Sequence, residues 1–483
     1  MDTQYDFGMI GLGTMGRNLL LNMADNHFAV VGFDRTPAKA AAFEASANPN
    51  TLVKGVSDYA LMVQLLKKPR KIMMLVPAGR PVDDVINHLL PLLEKDDIVI
   101  DGGNSHFTDT LVRIKFLEEK GIHFMGIGVS GGEMGARTGP SIMPGGDEVA
   151  WKHVKPILEA VSAKVDGQPC VAYMGKWAAG HYVKMVHNGI EYAIMQLISE
   201  VYDMLKRGAG FTNDELHDVF NNWNRGEMQS FLLEITADIF THKDQETGQS
   251  MVDVILDRAG SKGTGKWTSQ SSMDLAIPIP TIDAAVAARD ISVYKDERIA
   301  ASELYRNKTK TATADKEKFI GQMHDALYFA TVICYAQGLA LLHKASTELD
   351  MSVPLPDVVK IWRGGCIIRS ALLNDFHKVY KKNPQLSNML LDKKIARMIR
   401  SKEKKLRTII RLGTAWKIPV AGFSSALAYF DAYCSSNLPT NLIQAQRDFF
   451  GAHMYQRIDR PGMFHNEWQP LPEHKKEEVE HKP

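Results

Sequence analysis

The chain has 483 residues, 45% hydrophobic and 23% charged, with a formal net charge of +1. That length exceeds what one small core supports and predicts two or three domains. The near-neutral balance is that of an ordinary soluble globular protein and excludes a general attraction to nucleic acid or anionic membrane. Cys170, Cys334, Cys366 and Cys434 lie far apart without a C-x-x-C pair, so no zinc motif or disulfide framework is expected, and a reducing compartment fits. The opening "MDTQYDFGMIGLG" enters a strand pattern without a basic, apolar and small-residue leader. No uninterrupted apolar run reaches roughly 18 residues. A cytoplasmic protein with no membrane partner is the expectation.

In chain order, "FGMIGL" predicts a strand and "TMGRNLLLNMADN" a helix. Then come strand "AVVGFD", helix "PAKAAAFEAS", strand "KIMMLVP", helix "PVDDVINHLLPLL" and strand "DIVIDGG". "HFTDTLVRIKFLEEKG" is mostly helix, "HFMGIGVSGG" a strand, and "CVAYMG" a last strand ending near Gly175. This alternation predicts an α/β Rossmann-type domain, a parallel sheet with helices on both faces, over residues 1–177. From about Ala178 the period turns helical, and a large all-α domain is expected over 178–437. "GHYVKMVHNGIEYAIMQLISEVYDMLKRGAG" reads as one long helix with a glycine stop. "QMHDALYFATVICYAQGLALLHKAS" is apolar on most sides and is expected to be buried, after the polar loop "YRNKTKTATADKEK". A tail over 438–483 ends in the proline-rich, charged "PGMFHNEWQPLPEHKKEEVEHKP", which cannot build its own core.

Gly11-Leu12-Gly13-Thr14-Met15-Gly16 follows the first strand and opens the first helix. Such a loop brings backbone N–H groups and a helix N-terminus to a pyrophosphate. Asp34, at the end of the second strand, lies within the usual window of about 20 residues after it. Asp34 favours the ribose 2′-OH of NAD, whereas Arg35 and Thr36 could hold the 2′-phosphate of NADP, and both remain open. "DGGNS" and "VSGGEMGARTGPSIMPGG" are further glycine turns at strand ends. They are expected to aim Asn104 and Ser130-Gly131-Gly132 into the ligand crevice. Turn glycines without a ligand are the alternative there.

Within "YVKMVHNGIEY", Lys184, His187, Asn188, Glu191 and Tyr192 share one helical face at about 100° per residue. Val183, Val186, Ile190, Ala193, Ile194 and Leu197 share the other. A solvated face is the plain explanation. However, the polar face carries one residue of each chemical type, just past a domain junction where clefts form. Lys184 and Glu191 stand two turns apart, about 10 Å along the axis, which can bracket a small substrate with a base and an acid.

The sequence resembles 6-phosphogluconate dehydrogenase (decarboxylating) almost end to end. "DGGNS", "VSGGEMGARTGPSIMPGG", "GHYVKMVHNGIEY", "ILDRAGSKGTGKWT", "KDERI", "IWRGGCIIRS", "LIQAQRDFFGAH" and "RIDRPGMFHNEW" carry the likeness. "GLGTMG" is shared with the wider β-hydroxyacid dehydrogenase group. The resemblance implies oxidation of 6-phosphogluconate at C3 with NADP, then decarboxylation to ribulose 5-phosphate, without a metal, in the pentose phosphate pathway. It implies Lys184 as base and Glu191 as acid, which asks for a lysine of lowered pKa. It places Asn104, Ser130, Gly131, Gly132, His187 and Asn188 around the carboxylate and hydroxyls, and Tyr192, Lys262, Thr264 and Arg289 at the phosphate. Arg447 and His453 would come from the neighbouring subunit's tail in a homodimer. Cofactor contacts fall on Gly11–Gly16, Asp34, Arg35, Thr36, Val76, Pro77, Ala78 and Asn104. The chain departs from the family where Asp34 replaces the usual Asn, Pro77 a common Lys, and Ala193-Ile194 a common Gly-Asp. Asp34 therefore leaves NAD possible.

Two other functions compete. A β-hydroxyacid dehydrogenase for an unphosphorylated substrate would not need Lys262, Arg289 and Arg447 together. A non-catalytic nucleotide-binding scaffold would have lost Lys184 or Glu191. "DKKIARMIRSKEKKLRTIIR" keeps Ile395, Met398, Ile399, Leu406, Ile409 and Ile410 at helical spacing. A solvated basic face on a packed helix is expected there rather than a nucleic-acid site.

Overall fold

A computed structural model describes residues 4–305, 309 and 315–468. Much of the polar loop around 306–314 and the end of the chain after Trp468 lie outside these residues. The first part is a seven-stranded sheet of order β3-β2-β1-β4-β5-β6-β7. Its strands are β1 (Phe7–Ile10), β2 (Val30–Phe33), β3 (Val53–Val56), β4 (Lys71–Met74), β5 (Ile98–Asp101), β6 (His123–Ser130) and β7 (Ser141–Gly146). Helices α1 (Thr14–Asp25), α2 (Pro37–Ala45), α3 (Tyr59–Leu65), α4 (Arg80–Leu89), α5 (Phe107–Glu118), α6 (Gly132–Thr138) and α7 (Glu148–Val161) follow in turn. β1, β2, β4 and β5 are continuous apolar runs because helices cover both sheet faces. One face builds a core on Leu19, Leu20, Val154 and Leu158; the other builds one on Ile86, Leu89, Ile114 and Leu117.

Three local readings change. β3 and α3 went unread in the sequence, since Lys54 and Gly55 dilute the strand signal. "CVAYMG" is not a strand; Val171 makes one isolated bridge to Ile142. The last strand of this sheet is instead β7, antiparallel to β6, inside the stretch read as a glycine turn. Its glycines do not turn the chain. They make room, because a Cβ on Gly145 would lie 2.1 Å from the Gly180 nitrogen.

Helix α8 (Ala179–Asp203) lies against β6 and β7. It closes in a widened turn, Met204–Gly208, and ends at Gly210 with φ +71°. The helix Lys316–Glu348 packs on α8. It is long and apolar enough to cross a membrane, but its apolar window is 89% buried inside the fold, so it serves as a core helix. The basic stretch 392–411 forms the helices Lys393–Arg400 and Glu403–Trp416. Ile395, Ile399, Leu406 and Ile409 are buried, and Lys402 pairs with Glu227 and Asp325.

The chain divides into two compact units, Met1–Leu427 and Ala428–Pro483. In the second, the buried Asp448 carboxylate accepts hydrogen bonds from the Met454 and Asn466 backbones and the Trp468 indole, with His465 Nδ1 at 2.9 Å. Those donors hold its carboxyl well below the usual range. Leu442, Ile443, Phe449, Phe450 and Ile458 remain exposed.

Candidate active site

The glycine loop has the shape its residues require. Gly11 has φ +95°, and a Cβ there would lie 2.6 Å from the Leu75 carbonyl. A Cβ on Gly16 would strike the Gly11 carbonyl at 2.0 Å, so α1 starts tight against the strand. Gly13 faces open space and caps α1 without a side-chain hydrogen bond, and the first turn holds no acidic residue. Its N–H groups and positive helix end therefore face a cavity of about 780 Å³. Gly13–Gly16, Val76–Ala78, Asn104, Lys262 and Trp267 line it. These features fit a dinucleotide pyrophosphate.

Asp34 sits across the mouth of this loop. Its carboxylate accepts from the Thr36 N–H at 3.0 Å and the Leu12 N–H at 3.4 Å. Arg35 and Thr36 beside it are exposed, as are Pro77 and Ala78.

Helix α8 approaches the sheet as closely as glycine permits. A Cβ on Gly128 would lie 2.4 Å from the Lys184 Cβ, and one on Gly126 would lie 2.8 Å from His181 Nδ1. The alternating glycines of β6 thus seat Lys184 and His181 against the strand. The whole polar face of α8 is covered: Lys184, His187 and Tyr192 are buried, Asn188 and Glu191 half-buried. Burial lowers the Lys184 pKa, with Glu191 and Cys366 opposing. Burial also raises the Glu191 carboxyl, with Lys184 and Arg289 opposing. His187 is pushed well below its usual value by burial and then by Lys184. It is therefore neutral. Its Nδ1 lies 3.1 Å from Asn188 Oδ1 and 3.5 Å from Lys184 Nζ. Its Nε2 lies within hydrogen-bond distance of the Ser130 hydroxyl, 3.2 Å away. Val129, next to Ser130, lines the cofactor cavity, so the two groups of residues are continuous.

Gly131 and Gly132 both hold positive φ, and a Cβ on Gly131 would clash with the Gly365 carbonyl. At the far end, the Arg289 guanidinium stacks on the Tyr192 ring with 3.4 Å to the centroid. Arg289 also donates to the Gly260 carbonyl at 3.1 Å. Thr264 is buried at the start of the helix Thr264–Asp274, which packs on α8. Gly265 is needed there, since a Cβ would lie 2.6 Å from the Tyr192 ring.

Arg447 and His453 lie in the second unit. Arg447 donates to Gln444 and His453 meets the Phe450 ring edge-on. Sequence reasoning missed His106 and Trp267, whose tilted rings meet at 4.8 Å between centroids beside the cavity, and Trp362, edge-on to His187. It also missed what the β6 glycines do; their alternation "GIG" in an apolar strand was the available signal.

The family model "NAD binding domain of 6-phosphogluconate dehydrogenase" matches residues 6–175, and "6-phosphogluconate dehydrogenase, C-terminal domain" matches 180–468. This chain belongs to the 6-phosphogluconate dehydrogenase family. It is 52% identical over 467 residues to the NADP(+)-dependent, decarboxylating 6-phosphogluconate dehydrogenase of Bacillus subtilis, covering 96% of this chain and 99% of the relative. A decarboxylating 6-phosphogluconate dehydrogenase of Saccharomyces cerevisiae is 49% identical over 453 residues, covering 93% and 92%. The solved Plasmodium falciparum 6-phosphogluconate dehydrogenase, described with NADP+ and with 6-phosphogluconate, superposes with a TM-score of 0.92 at 44% identity. That match covers 96% of this chain and all of the other.

Proposed function

We propose that this chain converts 6-phosphogluconate to ribulose 5-phosphate and carbon dioxide, with Lys184 as base and Glu191 as acid. NADP, when bound at the glycine loop, supplies the hydride acceptor for C3. Lys184 Nζ, whose pKa burial lowers, takes the proton of the 3-hydroxyl in its neutral form as the C3 hydrogen leaves with its electron pair. The resulting ammonium polarises the new C3 ketone. The C1–C2 bond then breaks, its electrons flowing into the ketone, whose oxygen takes the proton from the Lys184 ammonium, so that an enediol forms while carbon dioxide departs. Glu191, whose carboxyl burial pushes up, delivers a proton to C2. Lys184 takes the O3 proton back as the ketone re-forms. Ser130 and Asn188 orient His187 beside the reacting hydroxyl, and Tyr192, Lys262, Thr264 and Arg289 receive the phosphate.

The observation that carries this reading is the pair of opposed burial effects on one helix face, a lysine lowered and a glutamate raised. Residues 1–177 then serve the cofactor and 178–437 the substrate and dimerisation. The tail 438–483 would bring Arg447 and His453 to the partner's site in a cytoplasmic homodimer. The exposed apolar residues of the second unit are consistent with a face that docks on a protein partner.

Initial rates on 6-phosphogluconate and on gluconate, each with NADP and with NAD, test the assignment. We expect turnover on 6-phosphogluconate with NADP and at least a hundredfold lower kcat/KM on gluconate. Comparable rates on gluconate would transfer the chain to the unphosphorylated-substrate reading, and no rate with either dinucleotide would end the enzymatic one.

A further inference from the structure

A buried polar network outside the reacting groups joins three elements of the site. Arg113, on α5, is almost wholly covered. Its Nε donates to Asp83 of α4 at 2.7 Å, and its Nη2 donates to the Gly79 carbonyl at 3.2 Å. Gly79 ends the loop Val76–Gly79 that lines the cofactor cavity. The third nitrogen, Nη1, has no hydrogen-bond partner and lies 3.6 Å from Asp101 Oδ2. Asp101, with no exposed surface, accepts from the Gly103 N–H at 2.9 Å and the Ser105 hydroxyl at 2.6 Å, and so shapes the turn that presents Asn104. The Asp101 carbonyl lies 3.0 Å from His181 Nε2, and His181 Nδ1 lies 2.7 Å from the Thr110 hydroxyl of α5. A carbonyl only accepts, so Nε2 carries the hydrogen and Nδ1 accepts from Thr110. His181 stands three residues before Lys184 on α8.

We infer that Arg113 is a positioning residue that locks the cofactor loop Val76–Gly79, the Asn104 turn and the Lys184 helix into one register for hydride transfer. This rests on the dehydrogenase reading above. The physical reason is the guanidinium's shape. One planar fork reaches Asp83, Gly79 and Asp101 at once, which an ammonium on a flexible stem cannot do. Loosening it leaves every reacting group in place but lets the cofactor loop drift relative to α8. Misplacement on the order of 1 Å costs turnover about a hundredfold when two reactants must meet in line.

Arg113→Lys keeps the charge beside Asp101 and loses the fork. We expect KM for NADP to rise and kcat to fall by tenfold or more together, with KM for 6-phosphogluconate changed less than threefold. The deuterium isotope effect on kcat with 3-deuterated substrate should rise as hydride transfer becomes limiting. Asp83→Asn, at a more exposed partner, should move the same quantities in the same direction by a smaller factor, and it serves if Arg113→Lys does not fold. Calorimetric titration of each protein with NADP alone reads the cofactor loop without turnover. Weaker NADP binding in the variant would uphold the loop register even if the wild type proved inactive on 6-phosphogluconate. A folded variant with wild-type NADP affinity, kcat and isotope effect would overturn the inference. So would equal losses in both Michaelis constants that track a lowered melting temperature.

Discussion

At Asp34, two backbone hydrogen bonds from Leu12 and Thr36 hold a carboxylate where a 2′-phosphate would need positive charge. Arg35 and Thr36 stay exposed beside it, free to offer charge and hydroxyl. Asp34→Asn keeps an acceptor for the Thr36 N–H, gives up the longer bond from the Leu12 N–H, and removes the repulsion. The ratio of kcat/KM for NADP over NAD should rise about tenfold, equivalent to about 1.4 kcal/mol. An unchanged ratio would place cofactor choice elsewhere. The two residues proposed for the chemistry, Lys184 and Glu191, were legible in the sequence because their spacing puts them on one helical face. Their opposed pKa shifts were not legible. They arise from burial by elements distant in sequence, with Arg289, nearly a hundred residues on, opposing the rise of Glu191; no local pattern encodes this.

Among the elements, those with strong apolar runs or long helical periods were readable: β1, β2, β4, β5, α1, α8 and the core helix Lys316–Glu348. β7 was not, because residues 144–146 read as a proline–glycine turn. Its glycines instead answer the close approach of α8, which exists only in the folded chain. α8 also ties to the next helical layer through Glu200. That buried carboxylate accepts from the Gly422 and Phe423 N–H groups at the start of the helix Ala421–Tyr433 and from Gln196. Burial pushes it up to about 7, with those hydrogen bonds opposing and Asp203 adding to the rise. A raised carboxyl binds its proton more tightly folded than unfolded. Its burial therefore costs nothing below the unfolded value near 4.5 and the most above about 7, where the cost approaches about 3 kcal/mol. Glu200→Gln should gain in melting temperature relative to wild type as pH rises from 5 to 8. A pH-independent difference would show that Glu200 does not titrate in that window.

For the whole molecule, the division between sheet and helices was visible in the change of period, whereas the separate compactness of 428–483 was not. The tail's Asp448 hub depends on His465, Asn466 and Trp468, contacts that sequence order does not announce. If the tail completes the neighbour's site, Lys184→Met and Arg447→Ala, each nearly inactive, should complement. Denaturing and refolding them together makes about half the dimers hybrid, each with one site carrying both native residues. About a quarter of wild-type activity should return. No recovery, with hybrids confirmed by mass spectrometry, would confine the tail to its own subunit.

The central claim is the division of labour between Lys184 and Glu191, and the most direct measurement is carbon dioxide release beside NADPH formation in Glu191→Gln. We predict a fall in kcat of a hundredfold or more, with protonation at C2 rate-limiting and NADPH and carbon dioxide formed in equal amounts in a rapid first turnover, while Lys184→Met forms neither. Wild-type steady-state turnover in Glu191→Gln, or NADPH formation at the normal rate in Lys184→Met, would contradict the account.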